Sequence, residues 1–301
     1  MPVDPQFHDV IDLYKNLPSL GELPLEVLRR PPAPSATVAT AVDSVTDQTI
    51  SGPGGDLKLR IYRCGAGDSL PLLLFIHGGG FVLGDLDTHD EMARILAANT
   101  GCVTVAVDYR LAPEHPFPAA VDDCFAALNW AATNAQELGA DASRIAVVGD
   151  SAGGNLAAVM ALKAREEGGP ALCGQVLIYP AVDLTAPMLP APDGKFYILS
   201  PETRKFFNGA YLREPTHASL PYVSPALADD LRGLPPALII TAEYDPLCAQ
   251  GEALAARLKQ MGIETELKRY DGAIHGFATF PVPMRDQALR QIADWLKSRY
   301  A

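Results

Sequence analysis

Ser151 sits in the run Gly149-Asp150-Ser151-Ala152-Gly153-Gly154, where an apolar β-branched stretch ends and a small-residue helical pattern begins. A serine on such a strand-to-helix turn is held in an unfavourable backbone conformation with its hydroxyl exposed. Glycines at 149 and 153 remove side chains that would collide there. The helix N-terminus beneath the serine favours negative charge. A serine hydroxyl is a weak nucleophile at neutral pH, so this arrangement requires a base, in the chain order serine, acid, histidine. Of the six histidines, His8, His77, His89, His115, His217 and His275, only His275 follows the last buried apolar run, in a turn-like segment between Gly272 and Gly276. Glu243 and Asp245 both follow the run that ends near Ala242. Asp245 is preferred, because Pro246 stiffens its turn while Glu243 still belongs to the strand end.

Acyl transfer also needs backbone donors aimed at a developing oxyanion. His77-Gly78-Gly79-Gly80 follows another apolar run, and residues without side chains let amides approach a substrate closely. The expected donors are the amides of Gly79 and Gly80, with Gly78 as a third, together with Ala152. A phosphate cradle is a poor fit, since the run lacks the Gly-Lys-Ser/Thr ending. His77 is expected to pin this loop by hydrogen bonding and to take no part in proton transfer. Asp85, Asp87, Asp90 and Glu91 with His89 suggest a metal site, but the spacing fails: a calcium loop started at Asp85 has Asp90 at its glycine position and Leu96 at its bidentate acid. Asp87, Thr88 and Asp90 are expected instead to cap the next helix. No metal and no cofactor is called for.

These residues need a scaffold, and the pattern from about residue 70 onward is that of an α/β fold with a mostly parallel sheet. Near-continuous apolar runs at 71–77, 102–109, 143–150, 174–180 and 237–243 predict strands buried on both faces. The alternating stretch 265–270 predicts an edge strand. Helical spacing appears near 88–98, 119–138, 152–167, 248–261 and 285–299. Upstream, 44–50 and 57–63 flank a glycine- and proline-containing turn and predict an antiparallel pair. Two stretches break the alternation: 1–40, ending in a proline-rich run, and 181–232. Both are read as a cap over a catalytic core formed by 41–180 and 233–301. Ser200 and Pro201 mark the N-terminus of a cap helix through Tyr211.

The chain has 301 residues, 48% of them hydrophobic, enough for a sizeable core. Lys plus Arg is 24 and Asp plus Glu 36, a net charge of −12 that disfavours nucleic acid and anionic membrane surfaces. No basic start with an apolar core marks a signal peptide, and no apolar run is long enough to span a bilayer, so a soluble cytoplasmic protein is expected. Five scattered cysteines, Cys64, Cys102, Cys124, Cys173 and Cys248, form no zinc or redox pair.

Residues 77–90, the stretch from Asp108 to Ala119, the Ser151 motif, Glu243 to Leu247 and His275-Gly276-Phe277 together resemble the hormone-sensitive-lipase-like family of bacterial carboxylesterases. Asp150 places the chain with the members carrying aspartate, where a sister subgroup has threonine. The resemblance spans roughly residues 70 to 280 and implies an α/β-hydrolase fold with an eight-stranded, mostly parallel sheet and a helical cap. It implies a nucleophile at Ser151, partners at Asp245 and His275, and an oxyanion hole from Gly78, Gly79, Gly80 and Ala152. It further implies short to medium acyl esters as substrates and homodimers through the edge strand near 265–270. Arg110 and Glu114 are read as structural. Phe81 is a pocket candidate beside the oxyanion loop, and Phe206, Phe207 and Tyr211 fall at helical spacing suited to lining an acyl pocket or to filling the cap's own core. Two alternatives use the same fold: an amidase or formamidase with the same triad, and a ligand-binding receptor, which the presence of His275 disfavours.

Overall fold

A computed structural model describes residues 2–18, 20–30 and 39–300. Most of the proline-rich run that closes the first expected cap segment falls at 31–38, outside the described residues. Eight strands form one sheet: β1 (Ser44–Gly52), β2 (Gly55–Arg63), β3 (Leu70–Ile76), β4 (Val103–Asp108), β5 (Ala140–Asp150), β6 (Leu172–Ile178), β7 (Ala237–Tyr244) and β8 (Thr265–Ile274), in the order β1-β2-β4-β3-β5-β6-β7-β8. β1 and β2 form the expected hairpin, β2 runs antiparallel to β4, and the remaining neighbours are parallel. After β3 the chain crosses to one side for β4 and returns to the other for β5. This reversal opens a crevice beyond the carboxyl ends of β3 and β5, the place where ligands bind in open α/β sheets. The glycine loop leaves β3 there, and Ser151 leaves β5.

The helices are α1 (His8–Lys15), α2 (Leu25–Leu28), α3 (Asp90–Thr100), α4 (Ala119–Thr133), α5 (Ala152–Glu167), α6 (Pro201–Tyr211), α7 (Cys248–Gln260) and α8 (Pro283–Tyr300). Successive strand residues face opposite sides of the sheet. Leu72, Leu74, Ile76, Ile145, Val147 and Ile239 therefore pack with α4, α5 and α7. Leu73, Phe75, Ala146, Val148, Leu238 and Ile240 pack with α3 and α8 on the other face. Burial on both faces explains the unbroken apolar runs.

Three local expectations are corrected. α4 stops at Thr133 and not near 138, because the Asn134 side chain turns back onto the Trp130 carbonyl at 2.8 Å and the chain enters β5 early, at Ala140. Asp87 and Thr88 do not cap α3; their amides bond to Asp85 Oδ1 at 3.0 and 2.7 Å, and Asp85 builds the turn. Asp90 lies inside the first turn of α3, where its carboxylate accepts from Tyr62 at 2.8 Å and pairs with Arg94. Ser200 does accept the Thr203 amide at 3.2 Å, followed by Pro201. Arg110 grips Asp123 with two nitrogens at 2.8 Å, and Glu114 takes the Arg29 guanidinium at 2.8 and 2.9 Å, so both act as braces.

The segment between β6 and β7 is rooted by two amides. Asn155 on α5, fully buried, donates to the carbonyls of Ala181 and Val223 at 2.6 and 2.7 Å. Gln250 on α7 accepts from the amides of Val182 and Asp183, both at 2.7 Å. Among the described residues no helix is long and apolar enough to cross a membrane. Asn155→Leu would leave two buried carbonyls unpaired. Urea unfolding is expected to show a stability loss of about 2–4 kcal/mol at an unchanged m-value; a loss under about 0.5 kcal/mol would mean that the root is held elsewhere.

Candidate active site

Ser151 has φ 52° and ψ −114°, in a region that L-residues rarely adopt. The turn is possible because backbone passes where side chains would be. A Cβ on Gly149 would stand 2.2 Å from the Gly153 carbonyl oxygen, and one on Gly153 would stand 2.0 Å from that of Ile76. The Ser151 amide is anchored on Ile178 O at 2.8 Å, and its carbonyl accepts the Asn155 amide at 3.0 Å.

Ser151 Oγ lies 3.0 Å from His275 Nε2, and His275 Nδ1 lies 2.7 Å from Asp245 Oδ2. β8 runs on to Ile274 and delivers His275 directly from its last residue, four residues beyond the expected strand end. Asp245 follows β7; its other oxygen accepts the Leu247 amide at 2.8 Å, which fixes the carboxylate in place. With Asp245 as an acceptor, Nδ1 carries the proton and Nε2 is free to take one from the serine. Glu243 serves a different end, accepting the Gly272 amide at 2.7 Å and so bracing the loop that carries His275. Burial opposes a charge on the imidazole, but the Asp245 charge and hydrogen bond, helped by Asp150, outweigh it and raise the His275 pKa above 6.5.

The glycine loop departs from expectation in one respect. The Gly78 amide is committed to Asp150 Oδ1 at 2.8 Å and is therefore not available to an oxyanion. Among the described residues no backbone carbonyl accepts from Gly79 or Gly80. The Ala152 amide opens α5, where the first amides have no partner within the helix. Gly80 has φ +63°, and a Cβ on it would stand 2.4 Å from the Phe207 ring, so the loop must be bare to pass beneath α6. His77 Nδ1 sits 2.8 Å from the Gly78 carbonyl, the loop-pinning contact expected of it.

These groups open into one largely apolar cavity of about 270 Å³. Gly79, Gly80, Phe81, Ser151, Ala152, Phe207 and His275 line it; Gly78, Phe206 and Tyr211 do not. Tyr211 is fully buried behind Phe81, with the rings stacked at 3.8 Å, so it backs the wall. Tyr14, Leu20, Tyr179 and Phe280 also line the cavity. Nothing in their local sequence marks them, since they arrive from three separate parts of the chain.

Residues 73–279 match a family described by the α/β-hydrolase fold. Carboxylic ester hydrolase LipN of Mycobacterium tuberculosis is 45% identical over 240 residues, which cover 77% of this chain and 64% of that protein's length. An arylesterase of Saccharolobus solfataricus is 36% identical over 93% of this chain and 94% of its own. A hyperthermophilic esterase from the archaeon Pyrobaculum calidifontis superposes with a TM-score of 0.90 at 42% identity, covering 99% of each chain. The chain belongs to the α/β-hydrolase family. Within that family it is a carboxylic ester hydrolase of the hormone-sensitive-lipase-like group.

The pH profile gives a direct check. His275 must be neutral to accept the serine proton, so kcat/KM should fall as pH drops through its raised pKa, with the acid limb centred above 6.5. In Asp245→Asn the limb should move downward, because burial then acts without the opposing carboxylate. A wild-type limb at or below 6.5 would contradict this electrostatic account.

Proposed function

We propose that this ester hydrolase cleaves short to medium acyl esters through an acyl-enzyme on Ser151, with His275 as general base and acid and Asp245 as its orienting carboxylate. The observation that carries this reading is the unbroken hydrogen-bonded chain from Ser151 Oγ through His275 to Asp245, with its serine end in the cavity. As Ser151 attacks the ester carbonyl, its proton passes to His275 Nε2, and the oxygen that gains charge is received by the amides of Gly79, Gly80 and Ala152. Collapse of this intermediate breaks the bond to the alcohol, which leaves with the proton from Nε2. Water then repeats the two steps against the acyl-serine, releasing the acid.

In this reading residues 1–40 and 181–232 form a cap on the catalytic core and limit acyl length. Tyr14 and Leu20 from the first segment and Phe207 from the second enclose the cavity from above. Each methylene buried there should add about 0.8 kcal/mol until the space is filled, after which overpacking reverses the gain. Five free cysteines support a reducing, cytoplasmic setting. The exposed edge at β8 supports a homodimer paired through 265–270, which sedimentation at micromolar concentration would reveal.

Rates on p-nitrophenyl esters from acetate to palmitate, with the matching anilides as controls, test the assignment. The expected kcat/KM rises from acetate as methylenes are buried, peaks at about four to eight carbons by resemblance to the family, and falls steeply by palmitate, with anilides far slower. Ser151→Ala and His275→Ala should each remove several orders of magnitude of turnover in folded protein, and Asp245→Asn about 10⁴. An optimum at palmitate, or anilide rates matching ester rates, would replace this reading.

A further inference from the structure

Asp150, next to the nucleophile, is 3% exposed and is not a member of the triad. Its Oδ1 accepts the Gly78 amide at 2.8 Å, and a Cβ on Gly78 would stand 2.4 Å from its Oδ2. The carboxylate is thus pressed against the first peptide of the glycine loop. A carboxylate this deeply buried persists as an anion only beside a compensating charge or strong donors.

The groups around it leave few candidates for that partner. His77 faces the Gly78 carbonyl with Nδ1, so its proton resides there, and burial above all pushes its pKa down to about 4, which keeps the ring neutral. His275 is engaged with Ser151 and Asp245. Asp85 is itself acidic. His89, from the turn before α3, remains, with Nε2 at 3.4 Å from Asp150 Oδ1.

His89 is held from both sides. Thr88 Oγ1, which is tied to the Asp85 turn at 2.9 and 3.0 Å, stands 3.1 Å from His89 Nδ1. An ionised Asp150 only accepts, so the nitrogen facing it, Nε2, is the donor. The ring also lines the catalytic cavity.

Resting on the esterase reading above, we propose that His89 is a positioning residue of this reaction: held between Thr88 and Asp150 with Nε2 turned to the carboxylate, it fixes Asp150 in place and so holds the glycine loop where the Gly79 and Gly80 amides meet the developing oxyanion. Without that donor, Asp150 turns away, Gly78 loses its acceptor, and the amides that follow lose their aim.

The test compares wild type, His89→Phe, which removes the ring nitrogens, and His89→Gln, whose amide can still donate to Asp150. Folding is verified by thermal melting. For each protein kcat and KM are measured on p-nitrophenyl butyrate, with inhibition by an alkyl trifluoromethyl ketone, which forms an oxyanion on the serine, and by the matching trifluoromethyl alcohol, the reduced ketone, which has no carbonyl for the serine to attack. His89→Phe is expected to lower kcat by about 10- to 100-fold, less than the loss of an oxyanion donor outright. KM should stay within about threefold, the trifluoromethyl ketone should weaken in parallel with kcat, and the alcohol should be little changed. His89→Gln should recover part of both losses. If His89→Phe does not fold, His89→Gln carries the test, with a smaller parallel loss in kcat and trifluoromethyl ketone binding. A folded His89→Phe with kcat within twofold of wild type, or equal losses against both inhibitors, would overturn the proposal, as would a His89→Gln indistinguishable from wild type where His89→Phe does not fold. Ser151→Ala is run alongside: an inactive Ser151→Ala beside a fully active His89→Phe would overturn this inference alone, whereas an active Ser151→Ala would overturn the esterase mechanism itself.

Discussion

The active centre depends on one steric constraint, the contact between the backbone of the β5–α5 turn and the end of β3. Holding a serine at φ 52° costs on the order of 1–3 kcal/mol. The turn keeps that conformation because Gly149 and Gly153 let two stretches of main chain approach within distances that any Cβ would forbid. The same contact sets the spacing between the strand that presents the nucleophile and the strand that presents the glycine loop. The hydroxyl, the loop amides and the first amide of α5 therefore share one rigid origin. A side chain at either glycine would displace all of them together.

Onto that origin the other groups are brought by elements from distant parts of the chain, each fixed by its own hydrogen bonds. β8 ends on the histidine, and the carboxylate after β7 is locked by the Leu247 amide. Glu243 ties the two carriers together through Gly272. Such bracing favours a preorganised field over one that must rearrange as charge develops, and preorganisation is where most of the gain in acyl transfer lies.

What could be read from the sequence follows a physical dividing line. Strands buried on both faces advertise themselves as apolar runs, and a nucleophile at a strand-to-helix turn carries its glycines with it. Ser151, Asp245, His275 and the sheet were legible for that reason. Phe207 and Phe206 were not separable, because helical phase says that they occupy different faces without saying which face meets a cavity and which meets packing. Gly78 looked like a donor because nothing local reveals that its amide is taken by a carboxylate 72 positions away. Asp87 and Thr88 had the composition of caps, yet a competing turn at Asp85 captured their amides. Tyr14 and Phe280 reach the cavity only through tertiary placement, which has no periodic trace.

The amide clamps at Asn155 and Gln250 have a consequence for how this architecture can change over time. They grip the insertion only at its root, at 181–183 and 223, from the two helices that follow the nucleophile and the acid. Between those grips α6 is tied down once more, where the Phe117 amide meets the Tyr211 carbonyl at 2.9 Å, and the rest hangs from this fixed socket. A lineage can lengthen, shorten or repaint that stretch, and so trade one clientele of esters for another, while the inherited chemistry beneath it stays untouched.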